Sequence, residues 1–543
     1  MRGFLASSIG VATAAALALP LALPTQALAA HVTPAAPAAP AAVAERAGAA
    51  APAGSTQSLP LIPLAPPGHR AGRVPGMSAA TPPDPETRGL PAREVKTFSM
   101  VGVVWDDAAT ELHGRVQVRT RSAETAVWSD WQDVETHNGE HSADLDAAER
   151  SSGRVRGATA PLWVGESDGV EVRVQAEPGT SDRSVVGHLP TGMRIELIDP
   201  GAAPDAAPTV LPAPVAAPVL PAAPRTPRLP GTSAGDTPGT PPGSVTGASA
   251  GKGTAPAPGT APEKTTSKPA AKPAAKPADD KGKTPQAPQA PGLGMAAAES
   301  SAANLPLAPI GAEEITEQNK ADSTADAMVA VEGGQTGVAA RPYIGPRPRI
   351  ITRKGWGADE SLREPGFAYT GTVKAAFVHH SASGNNYTCA QAPAVLRSLY
   401  RYHVVSSGWR DFGYNFAVDK CGNVYEGRAG GVAKAVLGAH TMGFNTNSMG
   451  VAVLGSYTDT APPAAAVTAI ARLTAWKLGL YGANPLGKTT LKSGGGNLYK
   501  KGSNVKLNVI SGHRDGFATE CPGRKLYGKL GTARTTSARY QGR

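Results

Sequence analysis

Hydrophobic positions along the chain follow two different rhythms, one in each half. Between Glu94 and Pro200 they recur every second residue. Val116 and Val118 alternate with Arg115, Gln117 and Arg119, and Val170, Val172 and Val174 alternate with Glu171, Arg173 and Gln175. Val101–Val104 and Met193–Ile198 are further short apolar runs, with turn residues between them. Such alternation marks half-buried strands, so residues 92–200 predict an all-β accessory domain, a sandwich of about 100 residues.

After Pro346 strands and helices alternate. Lys374–Val378 reads as a strand running into His379-His380-Ser381. Pro393 suits a first helical position, and Leu396, Leu399, Tyr400 and His403 share one helical face. Tyr414–Val418 and Val424–Glu426 flank Lys420–Asn423 as a hairpin, and Met449–Leu454 is another strand. Pro462-Pro463 precede a helix whose Val467, Ile470, Ala471, Thr474 and Leu478 share a face, ended by Gly479 and Gly482. Val505–Ile510 is a last apolar strand. This order predicts an α/β domain over residues 346–535, with a central mixed sheet flanked by helices.

Composition fills in what the rhythm leaves blank. In 543 residues there are 51 Pro and 63 Gly, and aromatics are 5%, which points to folded domains joined by long connectors. Residues 30–91 are Ala/Pro-rich and read as a disordered leader. Residues 201–345 read as a disordered linker, with Lys268-Pro269-Ala270-Ala271 repeated from Lys272 and again from Lys276. At the start, Arg2, the apolar run Ile9–Leu23 and Ala27-Leu28-Ala29 form a signal peptide over residues 1–29. The run is short for a membrane anchor and is broken by Pro20 and Pro24, so a secreted, extracellular chain without a span in its mature form is expected. The net charge is +10, but the lysines are dispersed in low-complexity sequence and no interleaved basic and aromatic motif is present, so nucleic acid is not an expected partner.

Three cysteines in an oxidising compartment imply one disulfide and one thiol with another task. Cys389 and Cys421 are the expected pair, and Cys521 the odd one. His513 and Cys521 lie on one short polar loop, and His379 ends a strand, where α/β proteins collect functional groups. Two imidazoles and a thiolate suit Zn2+, and three protein ligands would leave an open fourth position for water, as in catalytic sites. The competing reading makes His379 a satisfied strand-end histidine and Cys521 a buried thiol. His380 points to the other side of its strand and is not expected to join. Trp128, Trp131 and Trp163 in the β-domain are read as core, with a sugar platform as the alternative.

Six blocks occur in one order: Val378-His379-His380-Ser381-Ala382, Asp411–Phe416, Val424–Arg428, Gly438–Thr441, Asn445-x-x-Ser448-x-Gly450, and Gly512-His513-Arg514 with Cys521-Pro522-Gly523. With Trp356-Gly357-Ala358 at the start, they closely resemble the peptidoglycan recognition protein domain, kin to the amidase_2 family of phage amidase-type lysozymes. The resemblance spans about residues 347–534. The β-domain and linker resemble, more weakly, the N-terminal halves of actinobacterial secreted proteins of this type.

The resemblance implies Zn2+ held by His379, His513 and Cys521, with Tyr414 catalytic. It implies hydrolysis of the amide between the lactyl group of N-acetylmuramic acid and L-alanine. Tyr414 would hydrogen-bond the water or the oxyanion, and Thr519, which stands where phage enzymes carry lysine, would help orient the intermediate. His403, His440 and Asn445 would line the substrate groove, against core packing for the histidines and a turn role for Asn445. Peptidoglycan is the expected partner, with anionic wall polymers a further one for the basic linker, and the protein is expected to be a monomer. Two other readings remain: a module that binds muropeptide without cleaving it, and a wall-polymer-binding β-domain that carries the amidase as cargo.

Overall fold

The structure is a computed structural model that describes residues 54–64, 86–177, 188–202, 293–332 and 343–543. The expected signal peptide and most of the expected leader and linker lie outside these residues.

The N-terminal domain is built from β1 (Ser55–Pro60), β2 (Ile62–Pro63), β3 (Thr87–Trp105), β4 (Gly114–Ser122), β5 (Gln132–Val134), β6 (Gly157–Ala158), β7 (Leu162–Ala176) and β8 (Arg194–Asp199). The alternation holds: Val116, Val118, Val170, Val172 and Val174 are buried, while Arg115 on the same ladder is exposed. Hydrogen bonds link these strands in the order β1-β8-β3-β7-β4-β5, with β2 and β6 paired to β3. The longest strands, β3 and β7, slip register between Leu90 and Arg93 and again between Glu94 and Met100, and such bulges let one sheet coil upon itself. The leader boundary moves too. Residues 55–63, placed in disordered sequence above, form β1 and β2, with Leu61 buried; Pro60 and Pro63 are tolerated because β1 is an edge strand and β2 a side strand. Trp163 is core as expected, but Trp128 and Trp131 are half-buried, with the Arg119 guanidinium 5.3 Å from both ring centroids.

The C-terminal domain begins earlier than residue 346. α1 (Met295–Ala302), β9 (Glu314–Ile315) and α2 (Lys320–Glu332) fall inside the expected linker. The physical reason is local: this stretch carries one fully buried residue, Ile315, which pairs with Ile350, and a polar anchor, Asn304, whose side chain donates to Glu426 at 2.8 Å and accepts from the Val432 amide at 2.8 Å. Then follow β10 (Ile350–Ile351), α3 (Arg353–Trp356), β11 (Ala375–His380), α4 (Ala392–Arg401), β12 (Phe416–Val418), β13 (Val424–Glu426), β14 (Ser448–Val453), α5 (Ala464–Leu480), β15 (Lys488–Lys492), β16 (Asn504–Asn508), β17 (Ile510–Gly512), α6 (Arg524–Tyr527) and α7 (Leu530–Gln541).

The main sheet is mixed, in the order β17-β11-β14-β12-β13-β10-β9. Val505–Ile510, expected as one strand, divides between β16, which forms a separate hairpin with β15, and β17, which joins the main sheet beside β11. Period-2 alternation sorts the sheet faces. Met449, Val451 and Val453 pack with Ile470, Leu473 and Trp476 of α5. Ala452 and Leu454 face Leu396 and Leu399 of α4. That second core also includes Met100, Val104, Trp163 and Ile198 of the β-domain, so the two domains share one hydrophobic cluster. Cys389 and Cys421 form the expected disulfide, with a Cα–Cα distance of 6.2 Å. Among the described residues no helix is long and apolar enough to cross a membrane.

Candidate metal centre

Parallel pairing of β11 with β17 sets the first two donors side by side. Val378 is in register with Gly512; His379 is the next residue of β11, and His513, the first residue beyond β17, opens a short 3-10 turn. His379 continues the face of Ala375 and Phe377, while His380 turns the opposite way and accepts a hydrogen bond from the Tyr457 amide at 3.3 Å, in keeping with the expected alternation. The chain then loops from His513 back to Cys521, held by the Arg514 amide donating to the Cys521 carbonyl at 3.0 Å. This loop brings Cys521 Sγ to 3.7 Å from His379 Nδ1. Cys521 is a free, buried thiol, as the odd cysteine count required.

A fourth donor joins them, and sequence reasoning missed it. His141 of the β-domain places Nε2 3.3 Å from Cys521 Sγ and 3.1 Å from His513 Nδ1. Beside the three expected donors stands a fourth side chain of ligand type: one atom from each of His141, His379, His513 and Cys521 lies within 4.8 Å of the others. Zn–N and Zn–S bonds of about 2.0–2.1 and 2.3 Å imply tetrahedral edges of roughly 3.3–3.6 Å. The separations of 3.1, 3.3 and 3.7 Å cluster around those values, and a donor set of three imidazole nitrogens and one sulfur suits Zn2+, so the residues present fit that ion. Burial pushes His141 down to about 3 and His379 and His513 well below their usual value, chiefly by desolvation, so all three are neutral imidazoles with a lone pair to offer. The same desolvation pushes the Cys521 thiol up.

Around this group the expected site residues assemble. Thr441 Oγ1 lies 3.4 Å from His379 Nε2 and 3.0 Å from His440 Nδ1, which leaves His379 Nδ1 to face the donors. His440 is fully buried, and a Cβ at Gly438 or Gly450 would collide with its ring, so both glycines are there to admit it. Tyr414 has its ring centroid 5.2 Å from that of His379, and burial pushes its phenol well above the usual value, with the Cys521 and Glu140 charges adding to the effect. His403 stacks on Trp409 at 4.4 Å and accepts from the Gly413 amide at 3.3 Å. Asn445 accepts from the His440 and Thr441 amides at 2.7 and 3.0 Å, which is the turn role, while its NH2 reaches the β-domain. The Thr519 hydroxyl donates to Glu140 of the β-domain at 2.7 Å. A cavity of ≈ 480 Å³ lies elsewhere, and one of ≈ 330 Å³ adjoins the His141 loop, lined by Asn138, Glu140, Ser142, Trp409 and Phe517; neither is lined by a donor of the cluster.

Comparison with known proteins fits this geometry. Residues 369–524 match the family model described as N-acetylmuramoyl-L-alanine amidase. The peptidoglycan-recognition protein SC1a of Drosophila melanogaster is 31% identical over 189 residues, covering 35% of this chain and 87% of that protein. The chain belongs to the peptidoglycan-recognition protein family. The N-acetylmuramoyl-L-alanine amidase of Homo sapiens is 33% identical over 197 residues, 35% of this chain and 28% of that one. Drosophila PGRP-LB is similar over 34% of this chain and 93% of its own, at 25% identity and a TM-score of 0.27. Residues 38–211 match a model described as Rv3811 N-terminal galactose-binding domain-like. The recognition-protein fold therefore occupies the C-terminal domain, and a second all-β family precedes it.

Proposed function

We propose that the chain is a secreted zinc-dependent amidase that cleaves the bond between N-acetylmuramic acid and L-alanine in peptidoglycan. The observation that carries this reading is the convergence of His379, His513 and a free Cys521 on adjacent strands and their loop. The likeness to N-acetylmuramoyl-L-alanine amidases supports the reaction class. When bound, Zn2+ supplies a Lewis acid that polarises a carbonyl and brings a water's pKa to about 7.

The chain's own residues do the rest. Tyr414, neutral because it is buried, donates a hydrogen bond to charge developing on the amide oxygen without bringing a net charge of its own. Thr441 fixes the His379 ring through Nε2. The Thr519 hydroxyl accepts from the Cys521 amide at 3.1 Å and so braces the thiol-bearing turn. The test is digestion of peptidoglycan followed by mass spectrometry of the products. Free stem peptides with a new L-alanine amine, lost on chelation and restored by zinc, are expected. A muramoyl–alanine bond left intact by the native chain and by His141→Ala alike would reject the reading.

A further inference from the structure

His141 is separated from Cys521 by 380 residues, yet its Nε2 is the atom nearest both His513 Nδ1 and Cys521 Sγ in the donor group. A histidine buried merely to fill an interface spends its ring nitrogens on hydrogen-bond partners. Here Nδ1 has no partner among the described residues, and Nε2 is aimed at two other lone-pair donors. Four such atoms, linked by separations of 3.1, 3.3 and 3.7 Å, make sense around a shared cation.

The loop that delivers His141 is built and clamped on both sides. Within the β-domain, Asn138 Nδ2 donates to the Thr159 carbonyl at 3.1 Å, and Arg150 donates to Ser142 Oγ at 2.9 Å. Across to the C-terminal domain, Glu140 receives the Thr519 hydroxyl and, through its carbonyl, the Met442 amide at 3.0 Å. Asp144 accepts from Asn445 Nδ2 at 2.7 Å and from the Gly443 amide at 2.8 Å. Glu149 forms a buried, two-pronged pair with Arg428, both distances 2.9 Å. Asn445 and Thr519, for which the family resemblance implies contact with substrate and with the reaction intermediate, thus place their side chains against the β-domain loop.

We propose that His141 is a fourth protein ligand of the metal, and that the Asn138–Glu149 loop is an internal plug which holds the hydrolase latent until it leaves the groove. Four protein ligands make a closed site, and closed sites are structural rather than catalytic. Displacing the loop both frees a coordination position and uncovers the Asn445 and Thr519 side chains. This inference rests on the zinc reading of the centre, and its test separates the two.

The full chain is loaded with Co2+ and titrated with azide, with the visible absorption spectrum as readout. The native protein takes up one equivalent of cobalt and its spectrum is indifferent to azide. His141→Ala retains the metal on three ligands, its spectrum shifts with azide, and its turnover of peptidoglycan with zinc rises at least tenfold. Asp144→Ala serves as the second variant, because it loosens the plug without touching a donor atom; it too gains azide sensitivity. Stoichiometric cobalt that answers azide equally in native and variant chains would overturn the His141 assignment and leave the zinc reading standing. Failure of the native chain to take up cobalt at all would overturn both.

Discussion

At the scale of single residues, the centre depends on groups whose ionisation is fixed by burial. Tyr414 is held neutral well above the usual phenol range, first by desolvation. Its hydroxyl is the donor that Tyr414→Phe deletes while keeping the ring that packs 5.2 Å from His379. In a chain released by His141→Ala, that change lowers turnover by ~100-fold or more with substrate affinity little altered, the size expected for one oxyanion donor. A loss below tenfold would remove Tyr414 from the chemistry.

Glu426 gives a different residue-level test, on stability. Burial raises its carboxyl to about 7, although Asn304 and the Arg353 amide pull the other way. A folded-state value above the unfolded one means that the folded chain holds the proton more tightly. The contribution is therefore complete below about pH 4.5 and is lost as pH rises through 7. Glu426→Gln removes this dependence. Relative to the native chain, the variant gains about 1–3 kcal/mol between pH 4.5 and pH 8 in denaturant titrations. A difference that stays constant with pH would contradict the buried-carboxyl account.

At the scale of elements, the informative segment is residues 293–332, which contribute α1, β9 and α2 to a domain expected to start later. Composition hid it, because an Ala-rich run whose buried positions are mostly Ala, Ser and Asn, with Ile315 the one large apolar residue among them, resembles the linker before it. Only its end use distinguishes it: Ile315 completes the sheet edge and Asn304 satisfies both Glu426 and the Val432 amide. Asn304→Ala orphans two buried groups, at roughly 1–3 kcal/mol each. Thermal unfolding should show a clear fall in Tm with the β-domain's own contacts intact; no change would mean the segment merely rests on the surface. Elsewhere local pattern sufficed. The hairpin of β12 and β13, the proline-led α4 and α5, and the alternation of β4 and β7 were legible because each obeys a period that packing then respects. The division of Val505–Ile510 between two sheets was not, since an apolar run does not say which neighbour each half will pair with.

At the scale of the whole molecule, the same contrast governs the site. His379, His513 and Cys521 stood in motifs that could be read in order along one domain. His141 sits in Asn138-Gly139-Glu140-His141-Ser142, a polar, turn-rich stretch of the other domain with no spacing that marks a ligand. Its role follows only from docking. The shared cluster of Met100, Trp163 and Ile198 with Leu399, Tyr402 and Phe412, and the Tyr402 hydroxyl donating to the Thr159 carbonyl at 2.9 Å, seat the β-domain so that one loop reaches the donor group. Because plug and groove belong to one chain, docking is an intramolecular event with a high effective concentration, and a few hydrogen bonds suffice to hold it.

X-ray absorption at the zinc edge of the native, zinc-loaded full chain tests this account most directly, because it counts sulfur and imidazole ligands. The prediction is one sulfur at ~2.3 Å and three imidazoles at ~2.0–2.1 Å, falling to two imidazoles in His141→Ala. Two imidazoles in both proteins, or no sulfur in either, would contradict it.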